Sequence, residues 1–191
     1  MYPKRNNEFE VLRLYLGDYT KQFYLREISR LAKLPLKNTQ NVVNALEKSR
    51  ILKSSLKGKN KYFSLNLGNI QTKLYLLQSK IYKTLLFLEN YPQLKTFLKE
   101  VSKVTIIAFG SFAKFTAEKD SDLDLLIIPE AEEKLPFHLV PYKIHEIRMS
   151  EKSFIKAVEN QETLIKEIEE NHVILNNHSF YISTMWERYG K

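Results

Sequence analysis

The sequence contains no cysteine. That excludes a disulfide framework and any thiolate-ligated metal site. Four histidines, all in the C-terminal third, are too scattered for a His-only metal site. No stretch approaches the roughly 18 uncharged apolar residues that a membrane-spanning helix needs. The opening residues, Met1-Tyr2-Pro3-Lys4-Arg5-Asn6-Asn7-Glu8, lack the apolar core of a signal peptide. There is no internal repeat and no low-complexity tract. The absence of cysteine suits a reducing cytosol. A soluble cytoplasmic protein with no membrane partner is the expectation.

What is present is an ordinary globular composition, 43% apolar over 191 residues. That length accommodates one large domain or two small ones. The net charge of +8 is unevenly placed. Met1 to Ser102 carries 19 Lys and Arg against 7 Asp and Glu, a balance of +12. Lys103 to Lys191 carries 11 against 15, a balance of −4. A basic half followed by an acidic half points to two domains with different partners, nucleic acid for the first. A lysine-rich surface that only confers solubility is the alternative.

The pattern of the first half is helical, then β. Glu8 to Leu16, Arg26 to Ala32 and Lys37 to Ser49 have apolar residues at helical spacing. A short extended segment lies at Lys21 to Leu25, and Pro35 separates the second helix from the third. Ile51 to Leu56 and Lys61 to Leu67 alternate across Lys57-Gly58-Lys59-Asn60, as a β-hairpin does. Three helices followed by a basic hairpin resemble the winged helix-turn-helix superfamily, over about residues 8–67 and counted as domain 1–67. That resemblance implies DNA as a partner. Lys37, Asn38, Gln40, Asn41 and Asn44 would face the major groove, and Lys57, Lys59 and Lys61 the phosphates. Many such domains instead mediate protein contacts, and that reading stays open. Residues 68–91 read as a connector helix, with Ile70, Leu74, Leu77, Ile81, Leu85 and Leu88 at 3 to 4 residue spacing. It is also a candidate homodimer surface.

The chemistry concentrates in residues 92–191. Lys103 to Phe109 is a β-branched apolar run that reads as a buried strand and leads into Gly110-Ser111. Gly110 permits a tight turn, and Ser111 would begin a helical turn able to hold a phosphate. Ser121 to Ile128 reads as the next strand. Its Asp122 and Asp124, two residues apart, project from one face. Two adjacent carboxylates repel unless a cation lies between them. Mg²⁺ is the natural one, because it joins one or two carboxylates to substrate phosphates.

Gly110-Ser111, ten residues, then Asp122-x-Asp124 between apolar strands resembles the signature of the DNA polymerase β-like nucleotidyltransferase superfamily. The string GSFAKFTAEKDSDLDLLI is similar to its minimal members, some of which are fused to winged-helix domains. The expected fold class is α/β (α+β): an N-terminal winged helix, a connector, and a nucleotidyltransferase domain with a mixed sheet. The resemblance implies an NTP substrate, two Mg²⁺ ions in the family's manner, and a third carboxylate on a later strand. Tyr142 to Met149 is that strand, and Glu146 is the residue assigned as metal ligand and catalytic group. A solvent-facing Glu146 paired with Arg148 is the alternative. His145, on the other face, is assigned a structural role. Lys114 would bind nucleotide phosphate, or is a surface lysine. Phe115 stands where the family commonly has glycine and could narrow the nucleotide pocket.

The rest reads as one helix from Glu151 to about Glu170, a short strand at Val173 to Leu175, and a helix from Ser179 to Tyr189. The aromatic residues Phe180, Tyr181, Trp186 and Tyr189 read as core or interface, with stacking on a base as the alternative. The leading functional expectation is Mg²⁺-dependent transfer of a nucleoside monophosphate from an NTP to a hydroxyl. By resemblance the acceptor is RNA or a protein such as a HEPN-type toxin, the role of an antitoxin. The alternative is a DNA-binding regulator with an inactive or nucleotide-sensing nucleotidyltransferase fold. A small-molecule transferase is a third reading.

Overall fold

The structure, a computed structural model, describes residues 5–129 and 134–190. Helix α1 (Asn7–Leu12) begins at Asn6, whose side chain accepts from the N–H groups of Glu8 and Phe9. A 3-10 turn, Arg13–Tyr15, ends it earlier than the apolar spacing suggests. Strand β1 (Gln22–Tyr24) leads into α2 (Leu25–Leu31), and Pro35 opens α3 (Leu36–Lys48). The hairpin β2 (Leu52–Lys57) and β3 (Asn60–Leu65) turns at Gly58-Lys59. There Gly58 has φ +59°, the left-handed conformation that such a turn requires. The three strands form an antiparallel sheet in the order β1-β3-β2.

Asn69 caps the 21-residue helix α4 (Ile70–Asn90), followed by α5 (Leu94–Glu100). Then come β4 (Val104–Phe109), α6 (Gly110–Lys114), β5 (Leu123–Pro129) and, after a 3-10 turn at Phe137–Leu139, β6 (Ile144–Arg148). The expected helix from Glu151 to Glu170 is two helices, α7 (Glu151–Glu159) and α8 (Thr163–Glu170). The break falls at Gln161, whose φ of +53° no helix tolerates. Strand β7 (Val173–Asn176) and α9 (His178–Tyr189) complete the chain. Among the described residues no helix is long and apolar enough to cross a membrane.

The second sheet is mixed, in the order β6-β5-β4-β7, with only β5 and β6 parallel. Every residue of β4 is buried, because helices cover both faces. One face presents Ile106, Ala108, Leu125 and Ile127 to α5, α6 and Phe87 of α4. The other presents Ile107, Leu126 and Ile174 to a core that continues into the N-terminal unit through Leu12, Tyr15, Tyr19 and Val43. The basic and acidic halves thus share one core rather than forming separate ones. Gly17 marks a close approach: a Cβ there would stand 2.8 Å from the carbonyl oxygen of Glu169 in α8. Tyr181 is fully buried, as the aromatic pattern of α9 suggests.

This junction contains buried bases. Lys80 of α4 donates to the carbonyl oxygen of Leu16 (3.1 Å) and touches His172. Burial pushes the Lys80 amine and the His172 imidazole well below their usual ranges. Burial also pushes His178 down to about 4, with Lys80 adding to the effect. Both histidines are therefore neutral in the fold and charge readily when unfolded. Through these histidines the unfolded state binds more protons below pH about 6.5, so their share of stability is complete above that value and falls as pH is lowered towards 4. The urea midpoint is expected to fall between pH 7 and 5, as the unfolding free energy drops by up to about 1.4 kcal/mol per pH unit for each histidine. A His178→Gln variant should show a shallower decline; an unchanged slope counts against this account.

Candidate active site

Strand β4 ends at Phe109, whose backbone partner on β5 is Asp124. At Gly110 the chain leaves the strand with φ +67° and turns into the five-residue helix α6. A Cβ at Gly110 would lie 2.3 Å from Asp124 Oδ2 and 3.3 Å from its Cγ. The carboxylate of Asp124 therefore rests over the bare α-carbon of Gly110. Both the backbone angle and the space demand glycine. Ser111 follows, half-buried, and its carbonyl oxygen accepts the N–H of Thr116 (3.0 Å), closing the turn beneath the site.

Parallel pairing with β6 sets what stands beside the carboxylates. The N–H of Leu123 donates to the carbonyl oxygen of Lys143 (2.8 Å), and Asp124 is in register with His145. Lys143 Nζ meets Asp122 Oδ2 at 2.8 Å, and His145 Nδ1 meets Asp124 Oδ1 at 3.0 Å. Lys143-x-His145 thus mirrors Asp122-x-Asp124 across the strands. The Asp122 and Asp124 side chains keep 38% and 27% of their exposure, so the site is open to solvent.

Glu146 is not part of this arrangement. It is in register with Leu125, on the opposite face of the sheet, and pairs with Arg148 (3.2 Å). The assignment of Glu146 as third carboxylate is corrected: His145 occupies the position beside Asp124, and its supposed structural role gives way to a place in the site. The register decides this, and the register is not written in β6 alone. Its one sequence signal is that Lys143 and His145 share the period-two phase that the carboxylates show on β5.

Lys114 is exposed at the last position of α6. Phe115 takes the left-handed conformation (φ +61°) that ends this helix, the position where glycine is favoured. Its ring packs edge-on against the buried Phe87, with centroids 6.2 Å apart. The bulk that was expected to narrow a nucleotide pocket is seated on the core instead.

Lys143, just before β6, and His145 on it each meet one of the carboxylates, which marks the place as one that favours positive charge. Asp122 and Asp124 fit Mg²⁺, an ion that takes one or two carboxylates and completes its shell with phosphate oxygens and water. Among the described residues no group of three or more His, Asp or Glu is arranged to hold a metal ion. With Glu146 turned away, a second ion would have to share the same two carboxylates.

In the N-terminal unit, Lys37, Asn38, Gln40, Asn41 and Asn44 are all exposed on α3, and Lys57 and Lys59 are exposed on the hairpin. Lys61 is committed to Glu47 of α3, at 2.8 Å. A groove of about 670 Å³ runs between α3 and the hairpin, bordered by Arg26, Gln40, Asn44 and Lys59.

Residues 92–180 match the family model of the nucleotidyltransferase domain. The mixed sheet, the Gly110-Ser111 turn and the Asp122-x-Asp124 strand all lie inside that segment. That segment is thus similar to nucleotidyltransferase domains. No curated protein and no solved structure matches the chain.

Gly110→Ala tests the contact at the centre of the site. A side chain at this left-handed position costs about 1–2 kcal/mol and displaces the Asp124 carboxylate. Thermal unfolding should register that loss, and Mg²⁺ affinity measured by calorimetry should fall at least tenfold. Unchanged Mg²⁺ affinity would show that Asp124 does not hold the ion from this position.

Proposed function

We propose that this protein transfers a nucleoside monophosphate from an NTP to a hydroxyl group, with Asp122 and Asp124 holding Mg²⁺. The observation that carries this reading is the Asp124 carboxylate packed on Gly110, beside Asp122 and in a segment that matches the nucleotidyltransferase domain. Bound there, Mg²⁺ would neutralise phosphate charge and align the attacking and leaving oxygens. The residues of the chain supply the rest. Asp122 and Asp124 fix the position of the ion, and Gly110-Ser111 brings backbone close to the phosphates. Lys114 is the nearest exposed cation in sequence for the triphosphate. Lys143 and His145 hold the carboxylates in place and give way, in whole or part, when the ion binds. His145 Nδ1 faces Asp124, which orients the ring beside the acceptor.

The openness of the carboxylates favours a macromolecular acceptor, because a protein or RNA hydroxyl can reach them without entering a closed cavity. A protein such as a HEPN-type toxin, or an RNA, is the acceptor class that the resemblance supports. The exposed amides of α3 and the lysines of the hairpin support DNA binding by a winged helix-turn-helix unit, with Gln40 and Asn44 reading bases and Lys57 and Lys59 on phosphates. One observation favours the second reading, a DNA-binding regulator with an inactive nucleotidyltransferase fold: Glu146 faces away from the carboxylate pair.

Incubation with labelled NTPs, Mg²⁺ and cell lysate separates the two. Label should pass to a protein or RNA with the wild-type chain, and Asp122→Ala with Asp124→Ala should lower transfer by about 10³-fold or more, the scale of losing an electrostatic stabiliser. No transfer with any NTP would favour the regulator. In the same assay His145→Ala should reduce transfer clearly more than Glu146→Ala does. The reverse order would return Glu146 to the site.

A further inference from the structure

Helix α4 has two unlike faces. Leu76, Tyr82 and Phe87 turn inward and are buried against α1, α9 and β7. Ile70, Leu74, Ile81 and Leu85 turn outward and keep 64%, 55%, 41% and 48% of their exposure. Every exposed position of this helix is apolar or an uncharged amide: those four, with Gln71, Gln78 and Asn90. In a chain with 27% charged residues, a face four turns long without a single charge is not a solvent face. The four side chains together leave roughly 400 Å² of apolar surface, the range at which an exposed patch marks an interaction site. Among the described residues nothing covers it.

The spacing along the stripe identifies the occupant. From Ile70 to Leu85 the exposed apolar residues are separated by four, seven and four positions, a sequence of intervals that reads the same in both directions. An antiparallel twofold pairing in which each exposed apolar residue meets another needs this property, because each residue must meet a partner residue that meets it in return. A partner of different sequence imposes no such symmetry. The geometry points to pairing of α4 with α4 of a second copy of this chain, antiparallel, about a twofold axis between Leu77 and Gln78. Ile70 then packs against Leu85 of the partner subunit, and Leu74 against Ile81 of the partner subunit. The half-buried Leu77 closes the centre, while Gln78 meets its own copy. Two such faces with their flanking residues bury about 1,000 Å², the low end for a specific interface. An interface of that size makes a dimer that depends on concentration.

The full-length chain tests this directly. Sedimentation equilibrium across the micromolar range should show mass rising from 22.6 kDa towards twice that value. Leu74→Glu and Ile81→Glu should each hold the protein at monomer mass with an unchanged circular dichroism spectrum, since both side chains are exposed. Leu56→Glu, on the exposed hairpin, should dimerise like the wild type. The absence of native cysteine allows a second test that leaves the stripe intact. Under oxidation Gln78→Cys should cross-link to its copy. Ile70→Cys should not, because an antiparallel pair separates the two copies of that position by about 22 Å along the helix. A wild type that stays monomeric overturns the proposal and leaves the stripe to a partner of another sequence. Efficient cross-linking through Ile70→Cys, or none through Gln78→Cys in a dimeric protein, overturns the antiparallel arrangement.

Discussion

The contact between the Asp124 carboxylate and the α-carbon of Gly110 organises the C-terminal half of this protein. Strand β4 must end at Phe109, opposite Asp124, for the two to meet. The chain must then turn with a positive φ, which only glycine accepts at low cost. Once those conditions hold, the carboxylate pair is fixed at the rim of the sheet, over a turn that keeps backbone close by. The buried strands β4 and β5 behind it supply the rigidity that a charged site needs. Two adjacent carboxylates repel, and the apolar packing of Leu123, Leu125 and Leu126 holds them in place against that repulsion.

Strand β6 balances the charge. Its parallel register sets Lys143 beside Asp122 and His145 beside Asp124. Both carboxylates are thereby partnered without an ion, so the site is not a bare concentration of negative charge. The same register sends Glu146 to the opposite face, where Arg148 partners it. A shift of one residue would exchange these roles, because successive side chains on a strand alternate between faces.

The two halves of the chain are joined more closely than their opposite charges suggest. Leu12, Tyr15 and Tyr19 belong to the same core as Ile168, Tyr181 and Met185. Lys80, drawn inward from α4, satisfies the carbonyl oxygen of Leu16 and touches His172, tying α4, the N-terminal unit and the α8–β7 connection together. Any event that moves the N-terminal unit acts on the helices that support the second sheet.

Local signals determined a good deal by themselves. The β-branched run before Gly110, the Asp-x-Asp spacing, the proline before α3 and the glycine of the hairpin each act through the backbone of their own segment, so they are legible without a fold. The helix from Glu151 to Glu170 was misread because Gln161 adopts a conformation that no residue type at that position announces. The six spaced apolar residues of α4 mark a stripe but not which side is inside: Ile70, Leu74, Ile81 and Leu85 are exposed, Leu77 and Leu88 are half-buried, and the buried face mixes Leu76 and Phe87 with Lys80 and Thr84. Which side of a helix is inside depends on what packs against it. The choice of His145 over Glu146 is of the same kind: alternation makes each strand two-faced, and only its neighbour in the sheet decides which face meets the carboxylates.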